Sequence, residues 1–201
     1  MNLPNKLTVL RMIMVPIFMA VMLLPESIIP FDVMCIVSAA LFILASLTDM
    51  LDGKIARKNN LVTDFGKFMD PLADKFMVIG ALMCILYRFD SIRPYVLIVT
   101  IIVVFRELAV TAARLVASTS EGVVIAANML GKLKTVFQII FISSVFIEPV
   151  LWKSIPVFNI LTKVLYGFPV SFVAMAATAI LTVWSGLNYI KGCWKYINAS
   201  K

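Results

Sequence analysis

The chain has 201 residues, of which 62% are hydrophobic and only 14% charged, against roughly 45–50% and about 25% in an ordinary soluble domain. Its apolar runs lack the polar stripe of a soluble amphipathic helix, which excludes a water-soluble all-helical globule and leaves a membrane protein. The net charge of +7 gathers on one predicted membrane face, where it suits anionic headgroups and phosphates, so nucleic acid is excluded as the partner.

A spanning helix needs about 20 mainly apolar residues. Six stretches meet that need, at roughly 8–25, 31–57, 65–88, 93–118, 126–149 and 168–192. Pro25, Pro30, Pro94, Pro149, Pro156 and Pro169 are the expected breakers between them. The first stretch is interrupted by Met14, Pro16 and Met22 and is followed by no small-residue cleavage site, so it is expected to stay as a helix. No repeat, low-complexity segment or long linker divides the chain, which is expected to form a single domain over residues 1–201. With both termini placed in the cytoplasm, 14 Lys and Arg residues fall on the cytoplasmic side and four (Arg88, Arg93, Lys153 and Lys163) on the other. That asymmetry fits an even number of spans. Cys35, Cys84 and Cys193 lie in three different apolar stretches at no metal-ligand spacing and are expected to be small buried hydrophobes. The chain has no histidine, so no His-based nucleophile, base or zinc site is possible.

In the first predicted helix, Asn5, Thr8 and Arg11 step three apart and form a polar stripe at its cytoplasmic end. The second and third helices are joined by the stretch TDMLDGKIARKNNLVTDFGKFMDPLADK, which holds five of the chain's eleven acidic residues. Asp49 and Asp52 are three apart, and Asp70 and Asp74 are four apart, so each pair shares one helix face about a turn apart. Thr63 or Asp64 is the expected N-cap of the third helix. Two antiparallel helices would present the two carboxylate pairs to each other, and four like charges need a cation between them. Carboxylate-only ligands suit Mg²⁺, Mn²⁺ or Ca²⁺, while Lys and Arg neighbours could neutralise them instead. Gly53, Ala56 and Gly66 run in phase with the aspartates and permit a close helix or a close ligand.

The fourth helix carries Arg106, Glu107 and Arg114, with the two arginines two turns apart on one face. Buried arginines need an anion, which Glu107 or a phosphate could supply. The fifth helix opens with Lys132 and Lys134, at an electropositive helix end that welcomes anions.

Written as a pattern, the acidic stretch is D-x-x-D-G-x-x-A-R, eight residues, then G-x-x-x-D-x-x-x-D, formed by Asp49, Asp52, Gly53, Ala56, Arg57, Gly66, Asp70 and Asp74. It resembles the signature of the CDP-alcohol phosphotransferases, with every fixed position matched. The resemblance implies an all-α membrane protein, a six-transmembrane-helix bundle with an active-site cavity open to the cytoplasm, forming a homodimer. It implies Asp49, Asp52, Asp70 and Asp74 as ligands of Mg²⁺ or Mn²⁺, two ions per site, with Asp74 also the general base. It further implies that Asn5, Thr8, Asp52, Gly53, Ala56, Arg57 and Gly66 border the CDP-linked donor. The segments around Asn5 to Arg11, Arg106 to Arg114 and Lys132 to Lys134 resemble the branch of the family that uses sn-glycerol 3-phosphate. Arg11, Arg106, Arg114, Lys132 and Lys134 are then expected to hold the acceptor phosphate. The implied reaction is phosphatidyl transfer from CDP-diacylglycerol at the bacterial cytoplasmic membrane. Competing expectations are another acceptor, as in a cardiolipin synthase or a phosphatidylinositol-phosphate synthase, and a cation transporter that uses the aspartates for permeation.

Overall fold

The computed structural model describes residues 2–58, 63–121, 129–154 and 165–198, and among these the long regular elements are all helices. They are α1 (Leu3–Leu23), α2 (Phe31–Lys58), α3 (Asp64–Arg88), α4 (Arg93–Glu121), α5 (Met129–Ser154) and α6 (Pro169–Asn198). Five of them contain segments long and apolar enough to cross a membrane: Leu3–Leu23, Phe31–Gly53, Arg93–Ala113, Met129–Lys153 and Pro169–Gly192. The exception is α3. It has 25 residues, but Asp70, Asp74 and Lys75 crowd its first half and Arg88 closes it. Only residues 76–87 form an uncharged run, about 18 Å of helix against a hydrocarbon core of about 30 Å.

Two boundaries differ from the sequence expectation for identifiable reasons. Helix α1 begins at Leu3, five residues before the expected start, because Asn2 caps it by accepting the Asn5 backbone N–H at 3.2 Å, with Pro4 in the first turn. Pro149 does not end the fifth helix, and α5 continues to Ser154. A proline forfeits one backbone donor, and long apolar helices tolerate that loss. Pro94 and Pro169, by contrast, sit in the opening turns of α4 and α6, where no donor is lost. Pro156 lies outside the described residues.

The chain forms two compact units. The first comprises residues 1–93 and 142–169, and the second residues 94–141 and 170–201, so α5 contributes to both.

In the first unit, α1 packs against α2 and α3. One face of α1 is buried through its length, as Asn5, Thr8, Arg11, Val15, Phe18 and Met22. The 3–4 residue spacing keeps these on one stripe. Its first half is polar and its second apolar. The apolar half enters an aromatic cluster: Phe18 meets Phe42 of α2 at 6.2 Å and Phe146 of α5 at 5.6 Å between ring centroids, and Phe89 lies 6.2 Å from Phe146. Such tilted and edge-on contacts are the favoured aromatic geometry. Gly80 lets α1 and α3 approach closely, since a Cβ there would stand 2.9 Å from the Met19 sulfur. Cys35 and Cys84 are buried free thiols, as expected, while the side chain of Cys193 lies outside the described residues. Where α1 turns into α2 and α3 ends, Arg88 bonds Glu26 at 3.1 Å, Lys153 bonds Asp32 at 2.6 Å, and Arg93 pairs with Asp90.

The second unit buries Val96, Val99, Val103 and Val110 of α4 and Ala174, Met175, Thr178 and Thr182 of α6. Tyr95 and Phe172 meet edge-on at 5.1 Å. On the outer face of α4, Ile98, Ile101, Phe105 and Leu108 are exposed at helical spacing. That apolar exterior is what lipid as the solvent requires.

Candidate active site

The sequence-predicted aspartates stand on the facing ends of two helices, Asp49 and Asp52 near the end of α2 and Asp70 and Asp74 in the first half of α3. The polar half of the α1 stripe supplies the third wall. Arg11, fully buried, donates from Nη1 to Asp49 Oδ1 and from Nη2 to Asp52 Oδ2. Thr8, one turn earlier, donates its hydroxyl to Asp70 Oδ1 at 2.6 Å. Its other neighbour, the Pro4 carbonyl, lies at 3.2 Å. A hydroxyl has one proton, and the shorter contact to the charged acceptor takes it. One turn earlier again, Asn5 Oδ1 accepts the Thr63 hydroxyl at 2.9 Å, while Thr63 Oγ1 accepts the Gly66 N–H at 3.1 Å. Thr63 is therefore the N-cap of α3, one of the two residues expected there.

Each step of the stripe thus holds a different part of the site. Asn5 fixes the start of α3, Thr8 fixes its carboxylate, and Arg11 fixes the pair on α2. Gly66 is required by this closeness. A Cβ at Gly66 would stand 3.2 Å from Asn5 Oδ1, 3.3 Å from Thr63 Oγ1 and 3.7 Å from Asp70 Oδ2.

Burial is uneven. Asp52 is buried, while Asp49, Asp70 and Asp74 are half-buried. Arg11 pairs with two of the four carboxylates, and carboxylates gathered this closely favour positive charge beside them. Its donor chemistry, four carboxylates and no sulfur or imidazole, fits a hard divalent cation. Among the described residues no three acidic side chains converge closely enough to hold one as they stand. Arg11 and Thr8 draw three of the four toward α1.

A second polar cluster lies in the second unit. Glu107 Oε1 accepts both Arg106 Nη1 at 3.0 Å and Lys134 Nζ at 2.5 Å. Two cations sharing one carboxylate leave a positive balance. Arg106 packs on glycines of two neighbouring helices: a Cβ at Gly186 would stand 3.1 Å from its Cγ, and one at Gly131 3.8 Å from its Nη2. Lys134 is buried, whereas Lys132, two residues away and on another face, is exposed.

Several expected positions are found in unexpected company. Arg11, expected at the acceptor phosphate, lies across the two α2 aspartates. Asn5 and Thr8, expected at the donor, turn inward onto α3. Gly53 is half-buried next to Asp52. Ala56, Arg57 and Arg114 belong to α2 and α4 by backbone, but their side chains lie outside the described residues. Sequence reasoning missed the tie between Asn5 and Thr63. The signal was present in the register of the α1 stripe, which runs polar for as long as the neighbouring helices carry carboxylates.

Residues 1–184 match the family model described as CDP-alcohol phosphatidyltransferase. A relative from Bacillus subtilis (strain 168), named CDP-diacylglycerol–glycerol-3-phosphate 3-phosphatidyltransferase, is 42% identical over 99% of this chain and 98% of its own length. Relatives of the same name from Wigglesworthia glossinidia brevipalpis and Escherichia coli (strain K12) are 34% and 32% identical, over 97% and 94% of this chain and 96% and 93% of their own lengths.

Proposed function

We propose that the chain, which belongs to the CDP-alcohol phosphatidyltransferase family, transfers the phosphatidyl group of CDP-diacylglycerol to sn-glycerol 3-phosphate, giving phosphatidylglycerol phosphate and CMP. The names of relatives that match over nearly the whole chain support the two substrates. The observation that carries the chemistry is the gathering of carboxylates from α2 and α3 onto the polar half of α1.

In this reading the acceptor hydroxyl attacks the phosphorus that bears the diacylglycerol, and the bond from that phosphorus to the bridging oxygen of CMP breaks. The hydroxyl proton passes to Asp74, whose half-buried carboxylate is a suitable base among its like-charged neighbours. Asp49, Asp52, Asp70 and Asp74 would hold Mg²⁺ or Mn²⁺, which when bound offsets the diphosphate's charge and steadies CMP as it leaves. Gly53, Ala56 and Gly66 leave room for the nucleotide, with Arg57 near its phosphates. The positive balance of Arg106 and Lys134 over Glu107, with Lys132 and Arg114, suits the phosphate of a charged acceptor. A homodimer in the bacterial cytoplasmic membrane, with both termini cytoplasmic, completes the reading. The distribution of Lys and Arg supports the orientation.

The test is CMP release by the purified protein from CDP-diacylglycerol and Mg²⁺, with and without sn-glycerol 3-phosphate, beside Asp74→Asn. Release that requires glycerol phosphate, metal and Asp74 is the expected result. Release with a different alcohol alone would keep the reaction class and remove the acceptor. No release with any alcohol, from folded protein, would remove the enzyme reading and bring ion flux to the front.

A further inference from the structure

Arg11 has no solvent-exposed surface and sits inside a cluster of carboxylates. An arginine gripping one carboxylate commonly uses a two-pronged fork. Arg11 instead spreads its two terminal nitrogens over two carboxylates, Asp49 through Nη1 and Asp52 through Nη2. Its third nitrogen, Nε, is buried and has no hydrogen-bond partner among the described residues. The group therefore acts as a single positive charge bridging two carboxylates one helical turn apart. A divalent cation shared by the same two residues would take the same place between them, with twice the charge. Whichever carboxylate oxygens each takes, a guanidinium and a divalent cation held on the same two residues would repel each other across a few ångströms in a buried site.

We infer that Arg11 competes with the divalent cation for Asp49 and Asp52. It holds the two carboxylates together against their mutual repulsion, and its positive charge opposes an ion that would bridge them. This rests on the reading of the aspartates as metal ligands. A guanidinium does not deprotonate, so a displaced Arg11 needs another anion. The diphosphate of the donor is the anion that arrives at this site. Metal and diphosphate are then coupled through one side chain. The ion gains the carboxylates more easily when a diphosphate takes the guanidinium, and the reverse holds equally. Thr8 creates no such conflict, since the group it places on Asp70 is a neutral hydroxyl and adds no charge to oppose the ion.

The experiment measures Mn²⁺ binding to the purified full-length protein in detergent, from the electron paramagnetic resonance signal of free Mn²⁺, without lipid substrate and without turnover. Wild type is compared with Arg11→Gln, Arg11→Lys and Asp49→Asn, each checked for helix content by circular dichroism. Arg11→Gln is expected to bind Mn²⁺ about tenfold more tightly than wild type, within the usual range for coupled sites. Added CDP should tighten Mn²⁺ binding in wild type by a larger factor than in Arg11→Gln. Arg11→Lys keeps one charge but cannot span both carboxylates, so it should fall between the two. If the glutamine variant does not fold, tighter binding by Arg11→Lys carries the inference and unchanged or weaker binding overturns it. If Asp49→Asn weakens Mn²⁺ binding while Arg11→Gln leaves it unchanged or weakens it too, competition is overturned and Arg11 is an orienting residue. If Asp49→Asn leaves Mn²⁺ binding unaffected, the metal reading itself falls, and the competition with it.

Discussion

The two ends of the first unit use the same kinds of ion pair in opposite settings. At one end Arg11 is wholly buried between Asp49 and Asp52, and every partner is 38 or more positions away in the chain. At the other, Lys153–Asp32, Arg88–Glu26 and Arg93–Asp90 lie at the surface, with Lys153 62% exposed. Exposed pairs contribute about 0–1 kcal/mol, because water and salt screen them. Breaking a buried pair costs about 3–5 kcal/mol, since the remaining charge is stranded. The contrast teaches that the surface end could lose its pairs and keep its fold, whereas the buried end has its fold and the chemistry proposed for it in the same side chains.

The comparison can be broken or sharpened by substitution at each end. The largest effect is expected on turnover. Asp74→Asn should lower kcat by about 10²–10⁴, the usual contribution of a general base, with the donor KM little changed, whereas Asp32→Asn at the other end should leave both constants in place. Steady-state CMP release checks the pair. Next, Arg11→Met should lower the unfolding free energy by about 3–5 kcal/mol in chelator-containing detergent, read from loss of helical circular dichroism. Adding Asp52→Asn should recover part of that loss, because the stranded carboxylate is then gone. Thr8→Val should cost about 1.5–3 kcal/mol, the range for a hydrogen bond to a charged group, and full stability would remove Thr8 from its place as a holder of Asp70. Smallest of all, Lys153→Met should shift stability by less than about 1 kcal/mol. A larger loss there would show that the surface end also depends on its pairs.

Much of this contrast was legible in the sequence. The expected second helix, 31–57, is found at Phe31–Lys58, and the third, 65–88, at Asp64–Arg88, because long apolar runs and a Thr cap are local signals. The phase of the four aspartates was equally local, since three- and four-residue spacing fixes a shared face wherever the helix lies. The partners of those aspartates were not legible. Arg11 meets Asp49 and Asp52 across two helices, and Asn5 meets Thr63 across 58 positions. No spacing along the chain encodes such meetings. The start of α1 was hidden for another reason. Hydropathy discounts Asn2, Asn5 and Lys6, while the cap and Pro4 that start the helix there are polar or weakly apolar signals. Pro149 misled in the opposite direction, as a proline counts as a breaker only where no neighbouring structure absorbs the lost donor.

The short uncharged run of α3 bears on how the protein enters its membrane during synthesis. A helix that carries Asp70, Asp74 and Lys75 partitions poorly by itself, as each buried charge costs about 2.5–3.5 kcal/mol at a bilayer centre on insertion scales. Helices α1 and α2 emerge from the ribosome first and already hold Thr8 and the rest of the polar face that α3 meets. Insertion of α3 is then expected to be cooperative, the helix joining the α1–α2 pair already lodged in lipid and bringing Asp70 and Asp74 with it.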